Sequence, residues 1–174
     1  VYYDTESLVL ARHGIALRAR RRQRRWELTL KWSGHVSGAV HARPELTEPL
    51  ARAPGLDGLT LPEGFHQHVD AYLAGRALRP TLITDIRREL LDVVAASEPP
   101  ARQPAAELAL DRVHLRAPEE ADASASYCEV EIEQKEGERQ DVAGLARLLQ
   151  ERFHLAPSPD TKFSHGMALL YGPQ

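Results

Sequence analysis

Residues 15–20, Ile15-Ala16-Leu17-Arg18-Ala19-Arg20, and residues 26–31, Trp26-Glu27-Leu28-Thr29-Leu30-Lys31, decide the fold. Side chains on a strand alternate between two faces. In the first run Ile15, Leu17 and Ala19 share one face, and Ala16, Arg18 and Arg20 the other. In the second run Trp26, Leu28 and Leu30 oppose Glu27, Thr29 and Lys31. With Gln23-Arg24-Arg25 between them, the two runs predict a β-hairpin with one apolar and one charged face. The pattern returns further on. Leu108 and Leu110 oppose Glu107, Ala109 and Asp111, and Val130 and Ile132 oppose Glu129, Glu131, Glu133 and Lys135.

One such strand is ordinarily half of a sheet with its charges in water. Four in a chain of 174 residues ask for more. Glu129, Glu131 and Glu133 stand about 7 Å apart on one face, and like charges at that spacing repel unless cations neutralise them. Arg18, Arg20 and Lys31 supply part of the countercharge. A hard divalent cation such as Mg²⁺, which prefers oxygen ligands, supplies the rest. A sheet curled with its charged face inward makes a polar tunnel lined by both signs. That lining suits a polyanion that carries metal ions, a chain of phosphates.

The rest of the chain agrees with an α+β protein dominated by antiparallel strands. Tyr2-Tyr3 reads as a short strand and residues 8–10 as a run ending at Gly14. Residues 40–46, 106–115 and 127–135 read as further strands, and residues 81–94 as a strand with a helix-like alternative. Residues 49–64 hold three prolines and three glycines and read as a loop. Apolar residues at 65, 69, 72 and 73 predict a helix stopped at Gly75. Asp141 reads as the cap of a helix through Phe153, with Val142, Leu145, Leu148, Leu149 and Phe153 on one face. Residues 161–170 read as leading into a last strand.

The length fits one domain over residues 1–174, and no apolar run is long enough to span a membrane. A single cysteine excludes an intramolecular disulfide framework and a multi-cysteine zinc site. Cys128 shares a face with Val130 and is expected to be buried. Trp26 and Trp32 read as packing residues, and His66 and His68 as surface residues. The net charge of −3 hides a split. Residues 1–44 carry +6 and residues 45–174 carry −9, so a basic part folds against an acidic one. Six arginines fall within residues 18–25. Those at 21, 22, 24 and 25 read as a solvated hairpin tip, which makes nucleic-acid binding a weak rival reading. No secretory leader is visible, so the expected location is the cytoplasm.

Several motifs, in order, resemble the CYTH domain of the triphosphate tunnel metalloenzymes. They are Tyr2-Tyr3-Asp4-Thr5; Gly14 through Leu17-Arg18-Ala19-Arg20; and Trp26 through Thr29-Leu30-Lys31. Arg43-Pro44-Glu45, Thr84-Asp85-Ile86-Arg87-Arg88, Glu107 through Asp111, Glu129-Val130-Glu131-Ile132-Glu133 and Thr161-Lys162-Phe163-Ser164-His165-Gly166 continue the series. The segment from Pro80 to Arg88 is most similar to the bacterial inorganic triphosphatase branch, whose members are often joined to a helical CHAD domain.

The resemblance implies an antiparallel eight-stranded β-barrel tunnel with a charged interior and flanking helices. It implies hydrolysis of the terminal phosphate of triphosphate compounds, inorganic triphosphate foremost, with Mg²⁺ or Mn²⁺. It implies that Arg18, Arg20, Lys31, Arg88 and Lys162 grip the phosphates and act in catalysis, with Arg43 beside them. Asp111, Glu129 and Glu131 are implied as metal ligands, and Glu45, Glu107 and Glu133 as their supporting or ion-pair partners. The family's E-x-E-x-K strand does not occur in this sequence. Val1 begins at once as strand, so the missing strand is expected upstream of it. Thr161 replaces the usual Ser, and His165 the usual Arg. Thiamine triphosphatase and adenylate cyclase belong to the same family. The rival from another class is a polyphosphate- or nucleotide-binding module without catalysis. Oligomeric state is not legible in these residues.

Overall fold

The computed structural model describes residues 1–32, 35–37, 40–42, 44–55, 59–94, 104–119, 123–135, 139–158 and 161–172. The elements run β1 (Tyr2–Asp4), α1 (Val9–Arg12), β2 (Ala16–Arg22), β3 (Arg25–Lys31), β4 (His35–Ser37), β5 (Val40–Ala42) and β6 (Glu45–Leu50). Then come α2 (Glu63–Leu73), β7 (Arg79–Val93), β8 (Ala106–Arg116), β9 (Ser124–Gln134), α3 (Arg139–Phe153) and α4 (Lys162–Tyr171). Seven strands form one antiparallel sheet in the order β6-β3-β2-β1-β7-β8-β9, and β4 and β5 form a separate ribbon. The α+β class stands. The described residues give this sheet seven strands, with β6 and β9 as its edges, where eight were expected.

The β2–β3 hairpin forms as its alternation requires. Arg22 pairs with Arg25, and Gln23 adopts φ 54°, the left-handed geometry of a tight hairpin turn. Leu17, Ala19, Leu28 and Leu30 are buried on one face, packed with Phe65, Val69 and Leu73 of α2. That helix ends with Ala74 in the left-handed region and Gly75 at φ 78°. Trp26 and Trp32 pack at the margin of this core, and Trp32 stacks on half-buried His68. Arg21, Arg22, Arg24 and Arg25 are exposed at the tip.

Five expectations change. Residues 8–12 are not simply a run to a bend, because the buried Asp4 carboxylate accepts hydrogen bonds from the backbone of Leu10 (2.9 Å) and Ala11 (2.8 Å). Thr5 Oγ1 accepts from Val9 N at 3.1 Å, and together these start α1. The single strand over 40–46 is two, and the second continues through Leu50 because its register with β3 persists from Lys31–Glu45 to Trp26–Leu50. Helix α3 begins at Arg139, ahead of Asp141, and its predicted stripe is only partly covered: Leu148 is 59% and Phe153 63% exposed. Cys128 is exposed, because the face of β9 it shares with Val130 is uncovered at that point.

The largest change is at residues 161–170, which form helix α4 and not a strand. Thr161 Oγ1 accepts from Ser164 N at 3.0 Å, and Ser164 Oγ accepts from Thr161 N at 2.9 Å. This reciprocal cap starts the helix, and Phe163, Gly166, Met167 and Leu170 then recur with helical period. Phe163 and Met167 close a second core with Tyr2, Leu82, Val113 and Leu115. A Cβ on Gly166 would lie 2.7 Å from Leu82 Cδ2 and 3.4 Å from Leu115 Cδ2. Both leucines are fully buried and have nowhere to go. Gly166→Ala is therefore expected to cost about 1–3 kcal/mol and lower Tm by roughly 3–10 °C in a thermal melt. An unchanged Tm would contradict the close seating of α4.

Candidate active site

The register of the three long strands assembles one end of the site. Arg88, Asp111 and Glu129 lie opposite one another in a single row across β7, β8 and β9. The next row on the same face is Leu90, Ala109 and Glu131. Ala109 is small, so Arg88 and Glu131 can meet over it. Arg88 Nε donates to Asp111 Oδ1 at 2.7 Å, and Arg88 Nη2 to Asp111 Oδ2 and to Glu131 Oε2, each at 2.6 Å. Helix α4 delivers Lys162 from its first turn. Its ammonium lies 3.0 Å from Asp111 Oδ2 and 2.6 Å from Glu131 Oε1, and also contacts Glu129 Oε1.

Burial sets the electrostatics of this cluster. The Asp111 side chain is 0% exposed and that of Lys162 9%. Burial alone would raise the Asp111 carboxyl, but hydrogen bonds from Arg88 and Lys162 outweigh it and hold the group below its ordinary range. Burial brings the Lys162 ammonium down to about 8 against the pull of Asp111, and Arg88 and Arg18 push the same way. The Arg88 guanidinium is held charged, first by its hydrogen bond to Asp111. Tyr127 stands beside the cluster with its hydroxyl buried and without a hydrogen-bond partner among the described residues. Burial, then the neighbouring Tyr2, Glu131 and Asp111, push that phenol up.

The other end is basic and lies on the same face of the sheet. The row Thr47, Thr29, Arg18, Tyr2, Leu82 crosses from β6 to β7. Arg18 rests over the Tyr2 ring, 5.9 Å from its centroid, and has no ion-pair partner among the described residues. Arg20 Nε donates to Glu27 Oε1 at 2.8 Å. Lys31 pairs with Glu45 at 2.7 Å, and this contact holds the Glu45 carboxyl below its ordinary range. Glu107 and Glu133 face each other further along β8 and β9 and meet Lys135, at 3.8 and 3.0 Å, outside the Arg88–Lys162 cluster. Arg43 lies outside the described residues.

Glu27, Thr29 and Tyr127 join the site only through the strand pairing. Parity already puts Glu27 and Thr29 on the charged face. Only the hairpin register shows that Glu27 stands opposite Arg20 and Thr29 opposite Arg18. Tyr127 shares parity with Glu129 but reads as an ordinary strand aromatic.

Oxygen atoms of Asp111, Glu129 and Glu131 all lie within 4.8 Å of one another. Three converging carboxylates are the donor set that Mg²⁺ and Mn²⁺ prefer. The Lys162 ammonium already meets all three, which shows that the pocket accepts a cation. The residues present fit a divalent metal.

No helix among the described residues is long and apolar enough to cross a membrane. The fold is similar to the crystal structure of a Bacillus halodurans protein described as a candidate adenylate cyclase. The two superpose with a TM-score of 0.62 at 17% identity, over 94% of this chain and 78% of that one. At that identity the likeness establishes the fold. The family model of the CYTH domain matches residues 1–166. The chain therefore belongs to the CYTH-domain family, whose divalent-metal-dependent members bind triphosphate substrates and include triphosphatases and adenylate cyclases.

Proposed function

We propose that the protein hydrolyses the terminal phosphate of triphosphate compounds in the cytoplasm, inorganic triphosphate first among them, using Mg²⁺ or Mn²⁺. The observation that carries this reading is the pairing of two unlike ends on one sheet face. One end offers Arg18 without an ion-pair partner among the described residues, and the other gathers three carboxylates around one cation. In this reading the sheet curls so that its charged face lines a tunnel.

Arg18, Arg20, Lys31, Arg43, Arg88 and Lys162 would bind and orient the phosphates. Guanidinium forks match phosphate oxygens and keep their charge. Glu27 and Glu45 hold Arg20 and Lys31 in place, and Glu107 and Glu133 position Lys135. Asp111, Glu129 and Glu131 would hold the metal. A metal held there would supply neutralisation of developing charge and orientation of the attacking water. Positioning and electrostatics are most of what phosphoryl transfer needs. The buried ammonium of Lys162 is free to exchange carboxylate for phosphate contacts, because both are oxyanions.

The preference for inorganic triphosphate rests on the resemblance of residues 80–88 to that branch of the family. The Bacillus halodurans relative in fold supplies the second reading, a cyclase. A substrate panel with the full-length gene product separates them. Inorganic triphosphate and water are expected to give one phosphate and one pyrophosphate with either metal. ATP converted to pyrophosphate and a cyclic nucleotide, without free phosphate, would mark a cyclase. Tight binding without turnover of any triphosphate would mark a binding module.

A further inference from the structure

The opposite face of β7, β8 and β9 carries a second group of charges. Two adjacent rows cross it: Arg87, Arg112, Cys128 and Asp85, His114, Ser126. All six side chains belong to exposed residues, and they line an open depression of about 660 Å³. Arg87 and Arg112 stand directly opposite each other. Directly opposed residues have Cβ atoms only about 5 Å apart, and like charges there are destabilising. Neither arginine has an ion-pair partner among the described residues. Asp85 is taken up by Arg116, at 3.5 Å. Glu89, two residues along the strand from Arg87, pairs with neither arginine. His114 Nδ1 and Ser126 Oγ lie 3.0 Å apart, which fixes the hydroxyl at the edge of the depression.

The charge left in the depression is therefore +2, on two guanidinium forks side by side. A carboxylate would neutralise half of it, and a phosphate dianion all of it. Arginine forks bind phosphate oxygens bidentately. With its proton on Nδ1, His114 donates to Ser126 Oγ and leaves the hydroxyl hydrogen for a phosphate oxygen. We propose that Arg87, Arg112, His114 and Ser126 form a second anion site for one phosphate group, on the side of the sheet away from the Asp111 cluster. The site does not depend on the triphosphatase reading.

Titration of isotope-labelled full-length protein with inorganic phosphate, followed by amide chemical shifts, tests this. The expected result is a saturable shift of the Arg87, Arg112, Ser126 and Cys128 amides that persists in Arg18→Ala. In the double variant Arg87→Gln/Arg112→Gln, affinity at these amides is expected to fall at least tenfold while triphosphate turnover is unchanged. Its Tm should equal or exceed that of the wild type, because a like-charge pair has been removed. Glycerol 3-phosphate in place of phosphate tells an esterified ligand from the free ion. Shifts confined to the Arg18–Lys162 face, or unaltered phosphate binding by the double variant, would overturn the proposal.

Discussion

Asp111→Asn is expected to stop turnover and to melt well below the wild type. Its carboxylate is fully buried, takes both arms of the Arg88 fork and contacts Lys162. The amide replaces one acceptor with a donor pointed at two cations. Breaking a buried, hydrogen-bonded ion pair from one side costs about 3–5 kcal/mol, because the remaining charges stay out of water. For a chain of this size that lowers Tm by roughly 10 °C. Loss of one of the three carboxylates proposed to hold the metal, and of the group that aims Arg88, is expected to lower kcat by about 10²–10³ or more. A melt followed by circular dichroism and a phosphate-release assay read the two effects. A normal Tm would contradict the buried pairing, and normal turnover would remove Asp111 from the site.

Arg18→Ala is expected to separate the same two readouts. Arg18 is half-buried, makes no ion pair among the described residues and touches the Tyr2 ring only at a distance. The cation–ring contact is worth about 0.5–1 kcal/mol, so Tm should move by only a few degrees. Arg18 nevertheless sits where its charge is felt by Lys162 and by Glu45, at the meeting of the two ends of the site. A cation without a protein partner is available to a phosphate. Its removal should lower kcat/KM by about 10²–10³. Rescue of part of this loss by Arg18→Lys would point to charge, and no rescue to the bidentate fork. Activity within threefold of wild type in Arg18→Ala would show that the basic end does not bind substrate.

Alternation alone revealed the charged face. Strand period puts Arg18 with Arg20 and Glu129 with Glu131, and the structure keeps both pairs on one side of the sheet. Register was beyond it. Nothing in residues 88, 111 and 129 taken singly says that they share a row, because pairing between distant strands depends on where each strand starts. Lys162 entered through the resemblance and not through its local pattern. That pattern sits among strands and reads as one more, yet the Thr161–Ser164 cap and the 163–166–167–170 spacing are helical signals. Cys128 failed for a related reason. Parity assigns a residue to a face but cannot say whether anything covers that face. The +6 and −9 parts of the chain proved informative, since β2 and β3 bring the basic end and β8 and β9 most of the acidic one.

In the proposed function the carboxylates gathered around Lys162 hold a metal that works together with Arg18 on a triphosphate. The most direct measurement is a crystal structure of the full-length protein with Mn²⁺ and a non-hydrolysable triphosphate, recorded at a wavelength where manganese scatters anomalously. The expected result is an anomalous peak bonded to oxygens of Asp111, Glu129 and Glu131, with Lys162 and Arg18 turned onto the phosphates. A peak elsewhere, or a triphosphate bound away from Arg18, would contradict it.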